Sequence, residues 1–269
     1  MKKDDKIIKV IKMSLNKEKI RNSLKSEYKD IAIIVLDSID STNNEAKRLI
    51  SAGKRGVFAV IANEQTAGRG RGEHSFYSPG ETGIYMSLVT TPELPIEKAV
   101  LSTVAAAVAV CEAIESMTDK KPMIKWVNDI FVDCKKVCGI LTESVSDPQA
   151  VSHPSIVTGI GINVSTVDFP DEIKAFAGSV NTEKLDRNAM IAEIINRLIH
   201  YSVNLSDEKI KTYYRSHSLV LGKRITFRQN SQKYSAKAVE IGPDCSLTVE
   251  LDNGTLKTLT SGEISIKLK

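Results

Sequence analysis

Apolar residues recur along this chain in two periods, and each period predicts its own elements. Ile31–Ile39 is a continuous, β-branched run of strand length, which predicts a buried strand. A polar stretch follows, and Thr42 with Glu45 three residues on reads as a capping box. A helix is expected from there, with Ala46, Leu49 and Ile50 as its apolar face and Gly53 as its stop. Val57–Ala62 predicts a second strand. Ile84–Val89 predicts a third, with Tyr85 and Ser87 on one face and Ile84, Met86 and Leu88 on the other. An Ala/Val-rich helix should start near Pro95, a good first-turn residue, and reach about Met117. It is apolar nearly all round, so it reads as a core helix. Met123–Trp126, Ile130–Val132, the turn Asp133–Lys136 and Val137–Thr142 make a strand–turn–strand unit, and Ser155–Val164 is a further strand. Asp168–Thr182 reads as loop. Met190, Ile191, Ile194, Ile195, Leu198 and Ile199 fall at helical spacing, which predicts a helix over Asp186–Leu205, with a second over Asp207–His217.

From Leu221 the texture changes. Lys223–Arg228, Tyr234–Ile241, Ser246–Leu251 and Leu256–Leu259 read as short strands, and Asn253-Gly254 is a strong hairpin signal. Residues 218–269 are therefore expected to form a small β-barrel-like domain that helps bind a substrate or partner. Residues 30–217 form the main α/β domain. Residues 1–29 are lysine-rich, with Ile7, Ile8, Ile11, Leu15, Ile20 and Leu24 as apolar positions, and read as a partly frayed helical extension. A helix-turn-helix domain needs roughly 50 residues or more, so DNA recognition is not expected.

Composition narrows the classes only modestly. The chain has 269 residues, enough for one large domain and a small one. Its formal net charge of +4 does not by itself argue for nucleic acid. The four cysteines, Cys111, Cys134, Cys138 and Cys245, match no zinc or redox spacing. Cys134 and Cys138 could meet across a hairpin, although packed thiols are the commoner outcome. The longest apolar run, Val104–Cys111, is too short to cross a bilayer, and no signal peptide opens the chain. A cytoplasmic protein with no membrane partner is expected.

The candidate chemistry centres on residues 64–72. Three glycines and two arginines occupy the five positions Gly68, Arg69, Gly70, Arg71 and Gly72. Glycines let the backbone approach a ligand closely, and arginines present donor forks to carboxylate or phosphate. The pattern suits an anionic small molecule; a flexible surface loop is the plainer alternative. Ser41 and Asn43 carry polar groups at a strand end and helix start, where they could bond a polar ligand head. Trp126, the sole tryptophan, is either core or a flat ligand wall. Asn128 and Asp129 could cap a turn or join a metal's hydration shell. Lys136 is one of two adjacent lysines at a hairpin, a setting that is usually solvated. Gly159 and Gly161 inside a strand mark close approach by a backbone or ligand. His74, His153, His200 and His217 lie in no recognisable nucleophile–base setting, so a hydrolase is not expected.

Taken in order, Ser41-Thr42-Asn43, Gly68-Arg69-Gly70-Arg71, Lys125-Trp126-Val127-Asn128-Asp129, Lys136 with Gly139-Ile140-Leu141, and Gly159-Ile160-Gly161-Ile162-Asn163 resemble the biotin–protein ligase family. The resemblance runs from about residue 15 to the end. It implies an α/β (α+β) catalytic domain of the class II synthetase-like type, a mixed sheet flanked by helices, with an SH3-like C-terminal β-barrel. It implies an ATP-dependent, AMP-forming ligase with Mg²⁺, which makes biotinyl-5′-AMP and passes biotin to a lysine of a biotin carboxyl carrier domain. By the resemblance, Ser41, Thr42, Asn43 and Gln65 hold biotin's ureido ring, Tyr85, Ser87, Trp126 and Gly159 line its pocket, and Arg69, Gly70 and Arg71 close over it. Lys136 and Arg71 are the catalytic cations. Gly68, Arg69, Arg71, Asn128, Lys136 and Asn163 meet ATP or the adenylate, with Asp129 reaching the metal through water. The form resembled lacks an N-terminal DNA-binding domain and is a monomer or homodimer. Val127 stands where the family motif has proline, Glu73 near a common glycine, and Phe76 where many members have tryptophan. Lipoate–protein ligase, a biotin-dependent DNA-binding regulator and a plain nucleotide-binding module are the alternative readings.

Overall fold

The structure is a computed structural model, and it describes residues 14–92, 100–145, 154–180, 185–229 and 232–266. Strand Ala32–Ile39 (β1) runs into helix Thr42–Ser51 (α2), which returns the chain to Phe58–Gln65 (β2). That crossover makes β1 and β2 parallel, as a returning helix must. Gly83–Thr90 (β3), Met123–Lys125 (β4), Asp129–Val132 (β5), Lys135–Val145 (β6) and Ser155–Asn163 (β7) complete a seven-stranded sheet of order β1-β2-β3-β7-β6-β5-β4. The other neighbours are antiparallel. Asp133 and Cys134 take positive φ, 49° and 62°, in the two-residue turn that joins β5 to β6. Cys134 is exposed and Cys138 buried, and both are free thiols.

The two faces of the sheet are covered unequally. Helices Val100–Met117 (α3) and Arg187–Val203 (α5) pack on one face through a continuous apolar core. Among the described residues α3 alone is long and apolar enough to cross a membrane, yet 72% of it is buried. It is the core helix that its all-round apolarity predicts. On the other face, among the described residues, α2 is the helix that packs, setting Ala46 and Ile50 against Phe58, Val60, Val89 and Val157. Beyond α2, the strip over β6 and β7 is covered by the loop that carries Phe76, and the candidate site forms there.

Local expectations fail in three places. Ser41, not Thr42, is the N-cap of α2, and its side chain makes no capping bond. The capping box does not form because Thr42 Oγ1 lies 3.2 Å from Gln65 Oε1 and Glu45 pairs with Arg48. The expected loop after Asp168 holds a short helix, Asp171–Lys174 (α4). The N-terminal segment, where described, is docked rather than frayed. Helix Lys17–Asn22 (α1) buries Ile20 completely, and Leu24 packs beside it. Asn188 and Asn196 of α5 accept from the backbone N–H groups of Asn16 and Lys25, both at 2.8–2.9 Å. Ile7, Ile8, Ile11 and Pro95 lie outside the described residues.

After helix Glu208–Ser216 (α6), strands Arg224–Gln229 (β8), Gln232–Ile241 (β9), Leu247–Leu251 (β10), Leu256–Leu259 (β11) and Ile264–Ile266 (β12) form an all-antiparallel sheet of order β11-β10-β9-β8-β12. The three-residue β12 was not expected from the pattern. Trp126 Nε1 donates to Cys245 O at 2.9 Å, and Arg215 donates to the carbonyls of Ile241 and Gly242. These buried and half-buried bonds fix the small sheet against the large one.

Replacing Ile20 with alanine empties a fully buried site, and truncations of that kind cost about 2–4 kcal/mol. Urea denaturation should show that loss in Ile20→Ala; parent-like stability would mean that α1 is not docked.

Candidate active site

The floor of the site lacks side chains. Gly139 of β6 pairs with Gly161 of β7, and Gly159 lies two residues along the same face. A Cβ on Gly159 would sit 2.1 Å from Asn43 Oδ1, and one on Gly161 would sit 2.6 Å from the Phe76 ring. Glycine is needed at both positions for space rather than for φ. The Phe76 ring lies on this floor and meets Tyr85 edge-on.

A narrow polar pocket opens above the floor, lined by Ser41, Thr42, Asn43, Gln65, Arg69 and Gly159 among others. The start of α2 delivers the first three. Its free space is about 20 Å³, room for about one water molecule, because Phe76 covers the floor. Hydrogen bonds join Thr42, Asn43 and Gln65 in the wall to one another or to their neighbours. Gln65 Oε1 accepts from Thr42 N at 2.9 Å, and Gln65 Nε2 donates to Ser78 Oγ at 2.9 Å. The buried Ser87 hydroxyl donates to Asn43 Oδ1 at 2.6 Å and lies 2.8 Å from Thr42 Oγ1.

The Gly/Arg segment folds into a small hairpin over the pocket. Gly70 N donates to His74 O at 2.7 Å and Phe76 N to Gly68 O at 2.9 Å, with Gly72 at φ +59° in the turn. Gly68 is a packing glycine, since a Cβ there would lie 2.3 Å from Phe76 O. Arg69 Nη1 donates to both oxygens of Glu143, at 3.0 and 3.1 Å. Arg71 Nη1 donates to Asn128 Oδ1 at 3.2 Å and to Gly262 O at 3.1 Å, and His74 pairs with Glu263 at 3.0 Å. The hairpin thus touches both domains.

Beyond the hairpin lies a cavity of about 860 Å³. Gly70, Arg71, Lys125, Trp126, Asn128, Asp129 and Lys136 line it, and residues 262–266 of the small sheet form its outer wall. Lys136 is not the solvated lysine its position suggested: its Nζ lies 2.7 Å from Asp129 Oδ1, and Lys125 Nζ lies 3.6 Å from Oδ2. Arg69, Phe76, Gly139 and Leu141 line both the cavity and the narrow pocket, so the two join there.

Four expected site residues line neither space. Tyr85 lies back over Gly83 and donates to Pro79 O at 2.8 Å; burial pushes its phenol well above the usual value. Ser87 and Gly68 act from behind the wall, as above. Asn163 Nδ2 donates to Gly178 O at 3.1 Å, while its Oδ1 is buried without a partner. Trp126 walls the large cavity rather than the narrow pocket. Asp129 is held by two lysines, and among the described residues no group of three His, Cys, Asp or Glu could hold a metal ion. Sequence reading missed Glu143, which alternation along β6 puts on the same face as Gly139 and Leu141. Burial pushes its carboxyl up, but hydrogen bonds from Lys47 and Asn43 outweigh burial and hold it below the usual carboxylate range.

Residues 35–163 match the biotin/lipoate A/B protein ligase family, and residues 220–267 match the biotin protein ligase C-terminal domain. The bifunctional ligase/repressor BirA of Bacillus spizizenii is 35% identical over 261 residues, covering 94% of this chain and 79% of its own length. The biotin–[acetyl-CoA-carboxylase] ligase of Mycobacterium tuberculosis is 26% identical, over 71% of this chain and 73% of its own. The biotin protein ligase from Aquifex aeolicus in complex with biotin and ATP has the same fold, with a TM-score of 0.70, 28% identity, and coverage of 87% of this chain and 97% of that one. A Cβ-free floor, a polar pocket at the start of α2, a cationic cavity and two matched segments in one order agree: the chain belongs to the biotin protein ligase family.

Proposed function

We propose that the narrow pocket takes the ureido head of biotin and the large cavity takes ATP, so that the two reacting groups meet where the spaces join. The observation that carries this reading is that junction, at Arg69, Phe76, Gly139 and Leu141. A polar head anchored at Asn43 directs its carboxylate tail across the glycine floor toward Lys136. The volume of the cavity suits a nucleotide. Lipoate offers a dithiolane in place of a urea and would leave the hydrogen-bonding wall of the pocket unmatched.

The chemistry has two balanced steps. A biotin carboxylate oxygen attacks the α-phosphorus of ATP; that P–O bond forms as the bond to the β-phosphate breaks, and pyrophosphate leaves. An acceptor lysine amine then attacks the carboxyl carbon; an amide forms, AMP leaves and one proton is released. In the first step two anions must approach, so positioned cations lower the barrier. Lys136 is held toward the cavity by Asp129, and Arg71 is held beside Asn128. Lys136 would bridge the carboxylate and the α-phosphate oxygens, and Arg71 would face the phosphate. Asn163 Oδ1 is buried without a partner and the residue lines neither space, so no contact with adenine is assigned to it.

Magnesium would come with ATP, held chiefly by phosphate oxygens. Asp129 is assigned to orienting Lys136 and Lys125 rather than to first-hand metal binding, because both of its oxygens face lysine ammonium groups. The acceptor is a biotin carboxyl carrier domain of a carboxylase, in line with the name of the mycobacterial relative. The Phe76 ring must leave Gly161 before biotin can enter, so the 68–76 hairpin acts as the lid.

ATP–pyrophosphate exchange should appear only when biotin is added; exchange without biotin, or none with it, contradicts the reading. Lys136→Ala should slow adenylate formation by about 100-fold or more, the usual cost of losing a transition-state charge contact, with an unchanged far-UV spectrum. Parent-rate exchange in that variant would remove Lys136 from the mechanism. Limited trypsin digestion should cut at Arg69 and Arg71 in the free protein and spare both with biotinyl-5′-AMP bound, because the lid's glycines order on closure. Equal cutting in both states would refute the lid.

A further inference from the structure

Glu143 stands at the end of the glycine floor with no role in the chemistry above. Three side chains from two elements, α2 and the hairpin, converge on it. Asn43 Nδ2, from the first turn of α2, donates to Oε2 at 2.8 Å; Lys47 Nζ, one turn on, donates to Oε1 at 2.7 Å; Arg69 Nη1, from the lid, donates to both oxygens. We propose that Glu143 is a positioning residue that sets the polarity of the biotin pocket and latches its lid. This rests on the biotin-ligase reading of the same pocket.

The polarity argument follows from what each group can do. An ionised carboxylate only accepts hydrogen bonds. Asn43 must therefore turn its amide nitrogen to Glu143, and its second N–H is taken by Leu141 O at 3.2 Å. Only Oδ1 is left facing the floor at Gly159, where it accepts from Ser87. A carbonyl-type oxygen retains a second lone pair. The pocket thus presents an acceptor at this point, complementary to a urea N–H and not to a urea oxygen. Leu141 O, also an acceptor, asks for the same orientation at the longer distance of 3.2 Å, so loss of the Glu143 charge removes the shorter, charged bond of the two that fix the amide.

The latch argument rests on exposure. Glu143 is 20% exposed, whereas Arg69 is 38% exposed. Pairs this accessible are weak and break readily. The Asn43 and Lys47 bonds sit on one rigid helix, so Glu143 stays in place when Arg69 lets go. The lid can then open without disturbing the polarity of the pocket.

The test compares Glu143→Gln with the parent in biotin-dependent pyrophosphate exchange, measuring KM for biotin and for ATP separately. Glutamine keeps the shape but replaces one acceptor oxygen with a donor. Losing a hydrogen bond to a charged group predicts a rise of about 10–100-fold in biotin KM, with ATP KM within about twofold of the parent. Preformed biotinyl-5′-AMP should also leave the variant about tenfold faster, through the loosened lid. In an Asn43→Ala background, Glu143→Gln should add little further to biotin KM, because its effect passes through Asn43. An unchanged biotin KM, equal rises for both substrates, or full additivity with Asn43→Ala overturns the assignment. If the glutamine variant does not fold, Glu143→Asp decides instead: the withdrawn carboxylate should raise biotin KM at least about threefold with ATP KM unmoved, and a parent-like value overturns the proposal. Exchange by the parent tests the biotin-ligase reading itself, so its failure is seen before any variant is compared.

Discussion

Gly139 and Gly161 face one another across β6 and β7, and with Gly159 they leave a strip of the sheet without side chains. Elsewhere on that face, α2 seals the sheet with Ala46 and Ile50. A Cβ at Gly159 or Gly161 would collide with Asn43 or Phe76, so the strip cannot be filled without displacing the walls of the site. The depth of the pocket, the seat of the Phe76 ring and the route between the two spaces all follow from these missing atoms. The fold supplies the strip by ending α2's apolar cover short of Gly139 and Gly161, and the Gly/Arg hairpin roofs it.

Charge is arranged around the strip in two counterbalanced groups. Asp129 holds Lys125 and Lys136 at the large cavity, and Glu143 holds Lys47 and Arg69 at the narrow pocket. Each acidic group keeps cations oriented while the site is free of anions. Under the proposed function, an incoming phosphate or carboxylate would compete with Asp129 for cations that already line the cavity, which would limit the reorganisation left for the reaction step. The small C-terminal sheet takes part directly. Gly262 O receives Arg71, and Glu263 pairs with His74, so the outer wall of the cavity and the lid belong to one set of contacts.

Elements with a strong apolar period were legible in the sequence. The β1–α2–β2 unit, the all-round apolar α3 and the amphipathic α5 all follow from spacing alone. The ordered motifs around Arg69, Lys136 and Gly159 pointed to residues that line the two spaces. What the sequence hid depended on distant partners. Thr42 looked like a capping residue, but Gln65, 23 positions away, takes its hydroxyl. Lys136 looked solvated, but Asp129 lies across the hairpin. Tyr85 shares a face with Ser87, but its long ring reaches back to Pro79. Glu143 was on the right face of β6 and was passed over because a strand carboxylate alone carries no signal. β12 is three residues long, too short for a period to register.

The central claim is that an acyl-adenylate spans the two spaces with its anhydride over the glycine floor. A crystal structure of the protein with biotinyl-5′-AMP tests it most directly. The account predicts the ureido ring against Asn43 and Gly159, the phosphate between Arg71 and Lys136, and Phe76 lifted from Gly161. Biotinyl-5′-AMP bound away from the 68–76 hairpin, or seated with its adenosine in the narrow pocket, would contradict it.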